Sequence, residues 1–567
     1  MRRAQIGPVC LTVLDGDLRS VRFRGVEVLR RVSCPVRDPD WGTHPVTTVT
    51  EDWTGTETGL VYVHRFAGRG GLFGGLFRAE LQTEGEAARL RLSVEIDAPV
   101  DLAVNRAGFT LLHPLRGVAG EALVVTHADG GQEETVWPGP ISPAQPVRDI
   151  AGLRHVVEGV TVDIRLRGEV FEMEDQRNWT DASFKTYCRP LALPLPFALG
   201  PDAPVRQEVE VLLSGTPVRA GADAATRGGV LPQVAVAVEP GLTVAPVLPG
   251  LEGMPRLLRV RADVAGDLLA GFAQGGPVTL EVVLPDAGDP AAALAALAAR
   301  CDAAGLCPAR VVALRACYMK SHQPDGAWPA GPRPMDLVPM VRAAFPQVAV
   351  GGGMFTNFTE FNRCRPDPAA VDFVTWGGTA VVHAADDASV METLEALPQV
   401  FASGRGIAGG RALHLGLFSI GMRSNPYAAD CVPNPGMERR TMVRDDPRQA
   451  TEFAAAFAAG VLAGAAAEGV ASLALSMTDG PLGAAGRPVA EVVAWAAARA
   501  GLACRVEAGP VVKVATARGV LVANVGEAAV ALPGGARGRL AGEAAARDLG
   551  GVMLAPCGVA FLEGDGA

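Results

Sequence analysis

Lysine is almost missing from this chain. Three lysines (Lys185, Lys320 and Lys513) stand against forty-eight arginines in 567 residues. Such a ratio indicates coding bias that replaces lysine wherever arginine serves. A surviving lysine then marks a place where a compact, strongly hydrated ammonium is wanted. Long apolar runs are missing too. Nothing approaches the roughly 18 uninterrupted apolar residues of a membrane-spanning helix. The richest run, 453–467, is mostly alanine, ends at Glu468 and reads as a buried helix. The basic N-terminus lacks an apolar run before Asp15, so it is a poor secretory signal. Positive charge is not in excess: the net charge is −10 and the pI about 5.5. That excludes nucleic acid and anionic membranes as partners, since both need a basic surface. The ten cysteines are scattered with no Cys-x-x-Cys pair, as expected of reduced core residues in a cytoplasmic protein. No His-x-His or His-Glu-x-x-His occurs among the eight histidines, so neither metal nor cofactor is expected. No Gly-x-Ser-x-Gly elbow is present, which excludes an acyl-serine hydrolase of that type.

What remains is the composition of a folded soluble protein, 49% hydrophobic and 20% charged, long enough for two to four domains. The first two hundred residues read as strands. Val21–Phe23 and Leu90–Val94 alternate apolar with polar residues, and Leu60–Val63 is a short β-branched and aromatic run. Ala122–Thr126, Val160–Leu166 and Gln207–Leu213 continue the pattern. The spacing predicts a large β-sandwich over residues 1–228, interrupted by a polar loop from His127 to Pro146. A Gly- and Ala-rich linker is expected near Ala220–Gly229. Strands then alternate with helices over 229–500, which predicts a (β/α)8 TIM-like barrel. Seven strands can be placed, starting at Leu257, Val278, Arg310, Val348, Val371, Ala412 and Val470. The eighth is sought near Ala503–Val506. An open doubly wound sheet is second, because no Gly-x-Gly-x-x-Gly follows a first strand. Residues 501–567 return to strand pattern, a small C-terminal β-domain expected to pack on the barrel.

Chemistry concentrates in one stretch, Phe171 to Tyr187. Glu172, Glu174, Asp175 and Asp181 lie there among Arg177, Asn178, Trp179 and Lys185. Both signs of charge, an amide and an aromatic are what a polyhydroxylated ligand needs. As a strand, Phe171 and Met173 face a core with Glu172 and Glu174 opposite. As a helix, Glu174, Asn178 and Asp181 share a face with Lys185. Both remain open on sequence alone, as does a solvated edge with Trp179 as a surface plug.

Glu172-Met-Glu-Asp-Gln-Arg-Asn-Trp-Thr-Asp-Ala-Ser-Phe-Lys185 resembles the signature of the D-apionate lactonases, bacterial enzymes that open D-apionolactone in apiose catabolism. Pro140–Pro146 and Asn105–Phe109 are similar to that family as well. The resemblance covers most of the chain and is strongest in the first third. It implies a Phe-Thr-Glu-x-Asn-Arg segment, matched at Phe358–Arg363, and a His-Ala-x-Asp segment, matched from His383. It also implies a glutamate near position 477 and an arginine near 482. This chain has Met477 and Leu482, which marks a divergent member.

Barrel sites are built from the segments after the strands. In the order predicted here, Tyr318, Lys320 and His322 follow the third strand. Glu360, Asn362 and Arg363 follow the fourth, and His383, Asp386 and Asp387 the fifth. Arg423, Asn425 and Tyr427 follow the sixth, and Asp479 the seventh. Asp387 reads better as a helix cap than as a catalyst. Hydrolysis of a small sugar lactone needs a base and oxyanion donors. Glu360 is the candidate base, with His383, Arg423 and Lys185 as donors. Glu174, Asp175, Arg177, Asn178, Trp179 and Asp181 are expected to hold hydroxyls. A glycoside hydrolase would need a second carboxylate, which no glutamate after the last strand supplies. A catalytically inactive sugar-binding protein is the non-enzymatic alternative.

Overall fold

The computed structural model describes residues 2–218 and 226–564. The chain divides into two compact units. One comprises Met1–Gln176 with Ala182–Ala222, the other Arg177–Asp181 with Asp223–Ala567.

The first unit is a β-sandwich. Its seven-stranded antiparallel sheet ends Thr110–His113, Phe184–Tyr187, Glu172–Asp175, and its nine-stranded sheet runs from Gln132–Val136 to Val46–Gly55. Alternation drives burial. Along Val160–Arg167 every apolar residue is buried and the polar ones are not. Aromatic rings join the sheets: Phe77 meets Phe109 edge-on at 6.1 Å, and His113 lies 6.3 Å from His155. Trp137 packs at 5.0 Å against both His113 and Phe184 and is fully buried. The expected loop His127–Pro146 is irregular over most of its length but not throughout. It contains the strand Gln132–Val136, paired with Ala122–Thr126, and Trp137 belongs to the core.

In the second unit eight parallel strands close into a barrel: Gln233–Val238, Arg256–Arg261, Val278–Leu284, Arg310–Arg315, Ala349–Gly353, Phe373–Thr375, Ala412–Ser419 and Ser472–Met477. The first pairs with the last. The strand missing from the sequence reading is Gln233–Val238, and every later ordinal moves up by one. Ala503–Glu507, sought as the eighth strand, instead pairs antiparallel with Arg227–Val230 and Val511–Thr516 in a C-terminal sheet. The expected linker thus holds a strand at its end, and its residues 219–225 lie outside the described residues. Helix Glu452–Ala467 is buried nearly throughout and touches strands of both the barrel and the C-terminal sheet. No helix among the described residues is long and apolar enough to cross a membrane.

Candidate functional site

The signature stretch is divided between the units. Glu172–Asp175 and Phe184–Tyr187 are paired strands of the first, joined through a 3-10 turn, Gln176–Trp179. Glu174 and Lys185 are cross-strand partners in an ion pair. Burial pulls the Lys185 ammonium down to about 8, against the pull of Glu174. Glu172 accepts from the Tyr187 hydroxyl and the Leu191 N–H, and Asp175 accepts from the Ser142 N–H at 3.1 Å. The Arg106 guanidinium lies 3.8 Å from the Tyr187 ring centre, and Asn105 donates to Pro39. The stretches around Asn105 and Ser142 thus brace this stretch within the sandwich. Lys185 as an oxyanion donor, and Glu174 and Asp175 as hydroxyl ligands, give way to these structural pairings.

Arg177–Asp181 belongs to the barrel unit, and each of its residues is tied there. Arg177 has no exposed surface and donates to Gln399 Oε1 at 2.6 Å. Asn178 accepts from Thr359 Oγ1 at 2.7 Å and from Asn362 Nδ2 at 3.0 Å. Thr180 donates to Thr379 O at 2.7 Å. Its φ is +67°, an unfavourable conformation for a β-branched residue that the surroundings must enforce, at about 1–3 kcal/mol. Trp179 meets the His383 ring edge-on at 5.2 Å, and the Arg363 guanidinium lies 5.4 Å from the Trp179 ring centre. Asp181 Oδ2 lies 2.6 Å from His383 Nδ1. A carboxylate only accepts, so Nδ1 carries the hydrogen, and in the neutral ring Nε2 is the acceptor. Both side chains are partly open to solvent, at 20% and 16%.

Glu360 lies beside this array. The fifth barrel strand ends in Gly351-Gly352-Gly353. A Cβ on Gly353 would sit 2.0 Å from Thr375 O, and its φ is +137°. The chain there can turn into helix Phe358–Arg363, which opens with a capping box: Glu360 Oε2 accepts the Asn357 N–H at 3.0 Å. Oε1 is buried with no hydrogen bond of ordinary length, and neither has Thr356 Oγ1. Burial raises the Glu360 pKa, opposed by the Ser321 hydroxyl and the Arg363 charge. Asn357 Nδ2 donates to the Tyr427 hydroxyl at 2.9 Å. Burial raises the Tyr427 pKa well above the ordinary value, and the nearby Glu360 charge adds to this.

The other expected residues have structural work. Arg423 donates to Glu239 at 2.7 Å, Glu281 at 2.9 Å and Val238 O at 3.4 Å, so its donors are engaged. Lys320 donates to the carbonyls of Asn425, Ala428 and Ala429 and holds that loop. Asp479 accepts from the N–H groups of Val244 and Ala245. Asn362 is locked between Asn178 and Arg365. Tyr318 stacks on Trp328 at 6.2 Å, and His322 lies 5.6 Å from the same ring. Asp386 accepts from the Ser389 N–H and is the helix cap, while Asp387 is ion-paired with Arg448 and Arg439. No group of three metal-ligating side chains occurs among the described residues. Glu239, Arg259 and Glu281 were missed. The signal available was the Val-Ala-Val-Ala-Val run before Glu239, an unassigned first strand.

A β-sandwich, a closed parallel barrel with a histidine–carboxylate pair and a buried carboxyl, and a C-terminal sheet define a TIM-barrel enzyme. Residues 1–216 match the model described as D-apionate lactonase, N-terminal domain, and residues 260–507 that described as D-apionate lactonase, TIM barrel domain. A D-apionate lactonase of Brucella anthropi is 35% identical over 500 residues, covering 84% of this chain and 82% of that protein. The chain belongs to the D-apionate lactonase family. Solved structures are more distant. An Escherichia coli K12 putative aldose 1-epimerase is 13% identical over 38% of this chain and 98% of that one, with a TM-score of 0.24. A Geobacillus stearothermophilus GH36 alpha-galactosidase is 10% identical over 99% of both, at 0.27. Likenesses this remote carry no argument.

Proposed function

We propose that this enzyme is a hydrolase that opens a sugar lactone, D-apionolactone to D-apionate, in apiose catabolism. The substrate follows from the Brucella anthropi relative. The observation that carries the chemistry is the His383–Asp181 pair. A histidine whose Nδ1–H is fixed by a carboxylate presents Nε2 as a general base. His383 takes a proton from water as the water oxygen attacks the lactone carbonyl. The bond from carbonyl carbon to ring oxygen then breaks, and the ring oxygen leaves as a hydroxyl after accepting a proton. The raised pKa of Glu360 suits it to donate that proton, so its role shifts from base to acid. Arg363 and Tyr427 supply donors beside it. The product acid ionises and releases a proton, which a pH indicator reads.

A glycoside hydrolase is not favoured. The family models and the Brucella anthropi relative are lactonases, and this is what speaks against it. A small-molecule substrate, without nucleic acid or membrane, and a cytoplasmic setting complete the reading. Ten free cysteines support the latter. The test is an indicator screen of aldonolactones beside nitrophenyl glycosides. His383→Gln and Asp181→Asn should each lower lactone turnover by about 10²-fold or more with the fold retained. Glycoside turnover without lactone turnover, or full activity in His383→Gln, would overturn the proposal.

A further inference from the structure

Barrel interiors are ordinarily filled with layers of branched aliphatic side chains. This one holds four charges that the chemistry above does not use. Arg259 on the second strand and Arg423 after the seventh both donate to Glu281 Oε2, each at 2.9 Å. Both also face Glu239 Oε2, at 3.6 Å and 2.7 Å. Arg259 reaches further, to Phe355 O at 2.7 Å and Ser424 Oγ at 3.2 Å. Two positive and two negative charges cancel. A buried array of this kind is weak as a source of stability, because desolvation offsets its attraction. Two of its members, Glu239 and Arg423, follow strand ends, where barrel enzymes bind their substrates, and that asks for another explanation.

The four members differ in access. Glu239 is 23% exposed, against 1% for Glu281, 5% for Arg259 and 6% for Arg423. Glu239 is therefore the member a ligand can touch, and the others orient it.

We infer that Glu239, set by Arg259 and Arg423, is the hydroxyl-recognition residue of this site, and that the substrate class it selects is the vicinal-diol lactone over the unsubstituted one. The inference rests on the lactonase reading. A carboxylate accepts from two adjacent hydroxyls in a way that an amide cannot match, since half of the amide is a donor. The unsubstituted ring offers Glu239 nothing.

The test compares α,β-dihydroxy-γ-butyrolactone with γ-butyrolactone in the wild type, Glu239→Gln and Glu239→Asp. Binding of the corresponding non-hydrolysable γ-lactams is measured by calorimetry on the same proteins. Glu239→Gln should lower kcat/KM for the dihydroxy lactone tenfold to hundredfold, mainly through KM. The loss on γ-butyrolactone and on the plain lactam should be smaller, so that the preference for the dihydroxy compound falls. Glu239→Asp keeps the charge beside Arg423 but withdraws it by a methylene, so it should hold its Tm and still lose selectivity. Equal losses on both lactones, or none on either, would overturn the inference. A wild type that opens no lactone would sink the lactonase reading. Lactam affinity then decides: a dihydroxy preference lost in Glu239→Gln sustains the inference, and an unchanged affinity, or no binding at all, overturns it.

Discussion

Arg177 shows how a residue type can point to the right place for a different reason. It has no exposed surface, and its Nη1 donates to Gln399 Oε1, so it is built into the protein interior. Arg177→Lys should therefore lower stability, by on the order of 1–3 kcal/mol for a buried hydrogen bond lost, and leave KM within about twofold. Thermal unfolding beside steady-state kinetics measures both, and a large KM rise at unchanged Tm would return Arg177 to the substrate. Glu360 carried its structural role openly, because Asn-x-x-Glu before an apolar residue is a capping pattern. The burial that makes Glu360 chemically interesting depends on side chains far away in sequence.

At the scale of elements, the paired strands Glu172–Asp175 and Phe184–Tyr187 have a measurable signature. Lys185 is lowered to about 8 from 10.5, so between those values the unfolded chain binds more protons than the folded one. Stability should rise with pH across that window, by roughly 3 kcal/mol, as the cost of burying the cation is relieved. Denaturant titrations from pH 7 to beyond about 10.5 should show the rise in the wild type. The neutral pair Lys185→Met with Glu174→Gln should lack it. The same two strands display what periodicity could and could not say. The alternation Phe171, Met173 against Glu172, Glu174 is a strand pattern. The turn between them is fixed by partners on the barrel, Thr359, Asn362 and Thr379.

For the whole molecule, the C-terminal sheet completes the barrel unit. Helix Glu452–Ala467 is alanine-rich and buried on nearly every side, with the terminal strands covering part of it. Arg539 and Glu491 add an ion pair between the last sheet and helix Val489–Ala497. Truncation after Ala500 should expose that helix and yield aggregated protein, monitored by light scattering and by loss of cooperative melting. A well-folded, active truncation would show that the tail is dispensable. Glu281→Gln tests the barrel interior in the same way. It leaves two buried arginines with Glu239 as their remaining carboxylate partner, and should cost about 3–5 kcal/mol.

Sequence by itself determined the class of each region, because alternation with period two and strand–helix alternation are written in local order. Val278–Leu284 and Ala122–Thr126 could be read to the residue. It also singled out the stretch that carries the family likeness. It lost the first barrel strand, since Gln233–Val238 follows a glycine-rich stretch and is made a barrel strand by its pairing with Arg256–Arg261 and Ser472–Met477. It placed Ala503–Glu507 in the wrong sheet, because a strand's partner is a long-range fact that its own residues do not encode. Which residues of Phe171–Tyr187 serve the sandwich and which serve the barrel was decided by tertiary structure alone. Glu174 and Asp181 are equally good ligands on paper. A cross-strand lysine claims the first, and a histidine two hundred and two positions away claims the second.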